Sequence, residues 1–183
     1  LSTLLPEHEE TFDENLEAFK TRLDEHMFGT DLVSRVDGDK LWALHLNSKL
    51  DTFLSRLDGD VTLGGWLGKM RPHRSAPLII YHRSWNYFTN RFGLQIAAEL
   101  EPKTGIPPTA SHLQDVVKTV TRENVRAILI EPYYNKKSAQ KVAAKTNARV
   151  VVCANSVGGD SKATDYIALI DLIIDKTAEA LSR

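Results

Sequence analysis

The chain has 183 residues, one cysteine and a formal net charge of −1, which excludes an internal disulfide and gives no electrostatic case for a nucleic-acid or anionic-membrane partner. With 42% hydrophobic and 26% charged residues the composition is that of an ordinary globular domain, and no run reaches the roughly 18 apolar residues of a membrane helix. The length suits one domain, or one domain plus an appendage. A start at Leu1, neither an initiator methionine nor part of a signal peptide, reads as a mature or trimmed chain whose true beginning lies upstream.

Residues 7–27 predict a long amphipathic helix: Phe12, Leu16, Phe19, Leu23 and Met27 recur at steps of four, three, four and four. Glu7, Glu9, Glu10, Asp13 and Glu14 crowd its first half, where the helix dipole favours negative charge. Shorter helical patterns over 40–57 and 63–70 follow, separated by the turn-prone Asp58-Gly59-Asp60. Up to Pro72 nothing reads as a strand.

From Pro77 the pattern alternates. Strands are expected at 78–82, 94–100, 127–131 and 149–153, with helices over 84–92, 110–123, 138–146 and 164–181 and a proline-rich loop over 101–108. Such an order implies a parallel sheet with helices on both faces and right-handed crossovers. Cys153, closing the run Val150-Val151-Val152, reads as a small core residue.

In a parallel α/β sheet, ligands bind outside the carboxyl ends of the strands, so the polar residues there are the candidates. The first strand ends on His82, followed by Arg83 and Ser84; the third ends on Glu131, followed by Pro132 and two tyrosines; the fourth leads to Asn155, Ser156 and the Gly158-Gly159-Asp160 loop. Asp165 stands just before the last helix. A His, a Glu and an Asp converging on one crevice suit a divalent metal or acid–base chemistry. Each has a plainer role: His82 as a capping or packing residue, Glu131 as a loop carboxylate meeting water or a backbone amide, Asp165 as a helix N-cap. His112, in the first turn of a helix, is expected on the surface, and His8, His26, His45 and His73 stand at no metal-binding spacing. Tyr133-Tyr134 with Lys136-Lys137 is too weakly basic for a nucleic-acid surface. HExxH, CxxC, GxxxxGK[ST], GxSxG and a GxGxxG after a strand are all missing.

The segments YHRSWNYFTNRFGLQIAAELEPKTGIPPTASHL, VRAILIEPYYNKKSAQKVAAKTNARVVV and DYIALIDLI resemble the metal-binding lipoprotein and adhesin family, the extracytoplasmic solute-binding components of zinc and manganese ABC importers. NLEAFKTRLDE resembles the long helix that links that family's two lobes. The resemblance implies a three-layer α/β/α carboxy-terminal lobe over 73–183, with strand order 2-1-3-4, after a helical linker region over 1–72. By position, His82 and Asp165 match metal ligands, and Glu131 matches a glutamate that stands behind the ligands. The family's amino-terminal lobe, with its own histidine ligands, has no counterpart before His82, so this chain would supply half of a site.

The implied cargo is zinc, with manganese also open because carboxylate ligands suit both. Metal is expected to be absent from, or weakly held by, this half alone. Implied partners are an ABC permease and the missing lobe, and the implied location is the periplasm or the outer face of the cytoplasmic membrane. Two other readings stand beside this one: a metal-assisted hydrolase using His82 and Glu131 as an acid–base pair, and an adhesion protein. No nucleophile paired with a base supports the former.

Overall fold

The computed structural model describes residues 1–57, 61–103 and 105–182; the turn expected at Asp58-Gly59-Asp60 lies outside them. The chain divides into two compact units, Leu1–Lys69 and Met70–Arg183.

The first unit is helical: α1 (Glu9–Phe28), α2 (Thr30–Val33), α3 (Gly38–Leu46), α4 (Leu50–Leu54) and α5 (Gly65–Met70), the last ending at the boundary. Gly29 ends α1 at φ 92°, and a Cβ there would stand 2.7 Å from the Gly64 Cα, so two glycines allow the backbones to touch. Met27, Phe28, Leu32, Leu41 and Leu50 form the buried centre, with the Phe28 and Trp42 rings edge-on at 5.1 Å. The stretch 40–57 is two helices where the pattern predicted one. Ser48 takes a left-handed φ of 55° between α3 and α4, and Asn47 donates its side-chain amide to the Ala43 carbonyl, closing α3. The amino-terminal half of the α1 stripe is open to solvent, with Leu16 and Phe19 exposed beside Leu4 and Leu5, while Phe12 is half-buried.

The second unit carries a four-stranded, all-parallel sheet in the order β2-β1-β3-β4, built from β1 (Pro77–Ile80), β2 (Gln95–Glu99), β3 (Ala127–Ile130) and β4 (Arg149–Val152). The predicted order is the observed one, and each strand stops one or two residues short of its predicted end. The central strands are the unbroken apolar runs Leu78-Ile79-Ile80 and Ala127-Ile128-Leu129-Ile130, fully buried as both faces of a parallel sheet demand. Connecting helices are α6 (Asn86–Phe92), α7 (Ala110–Arg122), α8 (Lys137–Ala143) and α9 (Tyr166–Ser182). Ile79, Tyr81, Ile128 and Ile130 pack on Val116 and Val120 of α7 and Ala139 and Val142 of α8. The alternate residues Leu78, Ile80 and Leu129 face the opposite layer, where α6 and α9 lie. The β1–β2 register slips at Leu78/Ile79, where Ala97 is skipped, and the chain runs from β2 back across β1 to β3, leaving a topological switch point between β1 and β3.

Cys153 is fully buried, and burial pushes its thiol up to about 12. The folded chain is therefore expected to resist iodoacetamide at mildly alkaline pH and to be alkylated once unfolded in urea, as mass spectrometry would record. Because the folded value lies above the ordinary thiol range, this group's contribution to stability is whole below that range and is lost as pH rises through it toward about 12.

Candidate metal centre

Continuing the registers past the strand ends sets three polar residues level with one another. Ile80 pairs with Leu129 and with Glu99, so two residues on, His82 is flanked by Glu131 on one side and Glu101 on the other. Hydrogen bonds from the Tyr81 N–H to the Leu129 carbonyl and from the Glu101 N–H to the Tyr81 carbonyl carry both ladders beyond the strands proper. This row lies at the carboxyl edge, at the switch point between β1 and β3.

His82 is extended, at φ −143° and ψ 172°, and half-buried. Its Nδ1 lies 3.3 Å from the Glu101 carbonyl oxygen, which can only accept, so the contact requires the proton on Nδ1. Ser84, on the 3-10 turn that follows, donates its hydroxyl to Oε1 of Glu131 and so ties the loop after β1 to the end of β3. Glu131 is completely buried, and its Oε2 has no hydrogen-bond partner in the structure. A buried carboxylate oxygen left unmatched is costly and marks a place where a cation or a water is wanted. The expectation of a loop carboxylate meeting water or a backbone amide is thus replaced by a buried one meeting a hydroxyl.

Glu101 is also buried, at 6% exposure. Its carboxylate accepts the Gly105 N–H and the Tyr81 phenol. Burial first, and then the negative charge of Glu101, hold the Tyr81 hydroxyl above the usual phenol value. The Tyr81 ring stacks on that of Tyr134 at 4.2 Å, walling this side of the edge with aromatic surface.

Asp165 is exposed and immediately precedes α9. Its Oδ1 accepts the Ala168 N–H at 2.8 Å and its carbonyl accepts the Leu169 N–H, the arrangement of an N-cap. The loop that leads to it turns at Gly158 (φ 80°) and is pinned by Asp160, whose carboxyl is held low by the Lys162 backbone N–H and by the Lys176 ammonium at 3.1 Å. Among the described residues no group of three or more His, Cys, Asp or Glu side chains is gathered closely enough to hold a metal.

The other histidines have structural work. His112 is half-buried rather than on the surface: its Nε2 lies 2.8 Å from the Glu99 carbonyl and its N–H reaches the Thr109 N-cap, fastening α7 to the end of β2. His73 meets the Ser182 hydroxyl, and burial together with Arg126 lowers its pKa. His8, His26 and His45 pack against Phe12, Trp66 and Phe28 respectively. Of the residues at the edge, Glu101 was the one missed by sequence reasoning, because it looked like the first residue of a proline-rich loop.

The family described as "Zinc-uptake complex component A periplasmic" (ZnuA) matches this chain over residues 65–180. The chain belongs to the ZnuA family. The curated "High-affinity zinc uptake system protein ZnuA" of Brucella abortus (strain 2308) is 26% identical over 84 residues, which are 46% of this chain and 25% of that protein, and the Brucella suis protein of the same name matches to the same extent. Among solved structures, a crystal structure of ZnuA superposes with a TM-score of 0.64 at 19% identity, covering 99% of this chain and 54% of that one. The solute-binding protein FpvC of Pseudomonas aeruginosa, in complex with Mn2+, does so with a TM-score of 0.58 at 18% identity, covering 100% of this chain and 55% of that one. At such identities the superpositions establish the fold. This chain spans about half the length of those structures, and the matched segment a quarter of the curated relatives.

Proposed function

We propose that this chain forms one side of the cargo site of an extracytoplasmic binding protein, which captures a divalent metal ion and presents it to an ABC permease. The observation that carries the reading is the placement of His82, with the buried carboxylate of Glu131, one oxygen of which has no hydrogen-bond partner, level with it, at the switch point of a sheet whose family is described as a periplasmic zinc-uptake component. His82 and Asp165 are the ligands of this side, and Glu131 stands behind them, orienting the loop of His82 through Ser84. An imidazole nitrogen and a carboxylate oxygen form a donor set that favours zinc and admits manganese. Two ligands from one side leave the remaining positions to water or to a second lobe, consistent with a chain half as long as the structures it resembles. The exposed apolar residues of α1 suit a helix that meets more protein than the 183 residues supply. A relative named as a component of an uptake system supports capture and delivery rather than catalysis.

Asp165 allows the two readings of its carboxylate to be separated. Asn is as good an N-cap as Asp but a far poorer metal ligand. Asp165→Asn is therefore expected to leave the melting temperature nearly unchanged while weakening zinc binding at least about tenfold; Asp165→Ala should lose both, with about 1 kcal/mol of stability gone. Calorimetric zinc titration and thermal denaturation of the same samples measure this. Undiminished zinc affinity in Asp165→Asn would leave Asp165 as a cap alone.

A further inference from the structure

We propose that Glu101 is a positioning residue which fixes His82 in the tautomer protonated on Nδ1, so that Nε2 is the atom offered to a metal. The proposal deepens the reading of His82 as a ligand and rests on it only for its purpose, since the tautomer can be observed without metal.

Among the described residues, four hydrogen bonds meet at Glu101. Its N–H donates to the Tyr81 carbonyl, extending the β1–β2 ladder by one step. Its carboxylate accepts from the Gly105 N–H and from the Tyr81 phenol. Its carbonyl receives Nδ1 of His82 at 3.3 Å. The first three hold the residue, and the fourth is what it does with that placement. A free neutral imidazole prefers the proton on Nε2, which would turn a donor rather than a lone pair outward. A carbonyl has no proton to give, so its approach to Nδ1 selects the other tautomer. Hydrogen bonding of one ring nitrogen is the usual way that the second is set for a metal.

The burial of Glu101 points the same way. A leucine would fill the position at no electrostatic cost, whereas a carboxylate at 6% exposure must be offset by its bonds. Those bonds tie Glu101 to Gly105 on one side and to Tyr81, the residue before His82, on the other. The register slip at Ala97 is what makes this alignment: without the skipped residue, Leu100 would stand level with His82.

The experiment is a long-range proton–nitrogen correlation spectrum of the full, metal-free chain carrying nitrogen-15 histidine, recorded above the imidazole titration range, followed by zinc titration of the same sample. In the wild type, His82 should carry its proton on Nδ1. In Glu101→Ala the Nε2-protonated form should dominate or mix in, and the zinc dissociation constant should rise about 10 to 100-fold. Glu101→Gln keeps an oxygen for the Gly105 N–H and fills the same space, so it should restore the wild-type tautomer and affinity. A fault that merely loosened the fold would lower the melting temperature without exchanging one tautomer for the other. A wild-type proton on Nε2, or Glu101→Ala with unchanged tautomer and affinity, overturns the proposal; the first test needs no variant and stands even if Glu101→Ala fails to fold. Zinc that left the His82 signals untouched would count against the metal reading, while the metal-free spectrum would still decide the role of Glu101.

Discussion

Replacing His82 by alanine in this chain joined to the second lobe proposed above should lower zinc affinity by more than about 100-fold, because changing even the groups behind a ligand costs 10 to 100-fold. In the proposed site the imidazole supplies this side's nitrogen donor, and the other histidines of the second unit are engaged elsewhere: His73 by Ser182 and His112 by the Glu99 carbonyl. Alanine would also deprive the Glu101 carbonyl of its partner, a loss that water at this half-exposed position can make good. The effect should thus fall on binding far more than on folding. Competition against a chromophoric chelator gives the affinity, and a thermal melt of the metal-free protein gives the control. An unchanged affinity would return His82 to the plainer role of a packing residue.

The largest effect on stability is expected at the centre of the sheet. Ile128 is fully buried in β3 between β1 and β4, within the cluster formed with Ile79, Val116, Val120 and Val142. Ile128→Ala should cost about 2 to 5 kcal/mol, the lost transfer free energy plus the cavity left behind. Domains of this size have only about 5 to 15 kcal/mol in total, so the variant should be visibly less stable in urea, with its midpoint shifted and its slope little changed. Leu46→Ala is the control, since Leu46 is 67% exposed and its truncation should move the midpoint hardly at all. Equal effects at the two positions would mean that β3 is not the centre of the core.

Most of the second unit's architecture was legible in the sequence because its signals are local and strong. Two unbroken aliphatic runs of strand length read as central parallel strands, and the helices between them carry apolar residues at helical spacing, as Val116 and Val120 do on α7. His82, Glu131 and Asp165 were legible as residues that end strands or begin a helix, which is where α/β folds place ligands. What pairs with them was not. Glu101 comes level with His82 through a bulge at Ala97, and one skipped residue leaves no mark in an alternating pattern. The depth of Glu131 was equally hidden, because burial after a strand end depends on the Ser84 loop folding over it. The break in 40–57 turned on Ser48 adopting a left-handed conformation, for which a serine gives no local warning.

In the proposed site His82 and Asp165 share one cation. An anomalous difference map from crystals of the zinc-loaded protein, collected on either side of the zinc edge, tests it most directly. One strong peak is expected at about 2.0 to 2.2 Å from Nε2 of His82 and from a carboxylate oxygen of Asp165, with Glu131 behind the ligands and the Nδ1 of His82 still on the Glu101 carbonyl. A peak bound elsewhere with both residues untouched, or a zinc held by His82 through Nδ1, would contradict it.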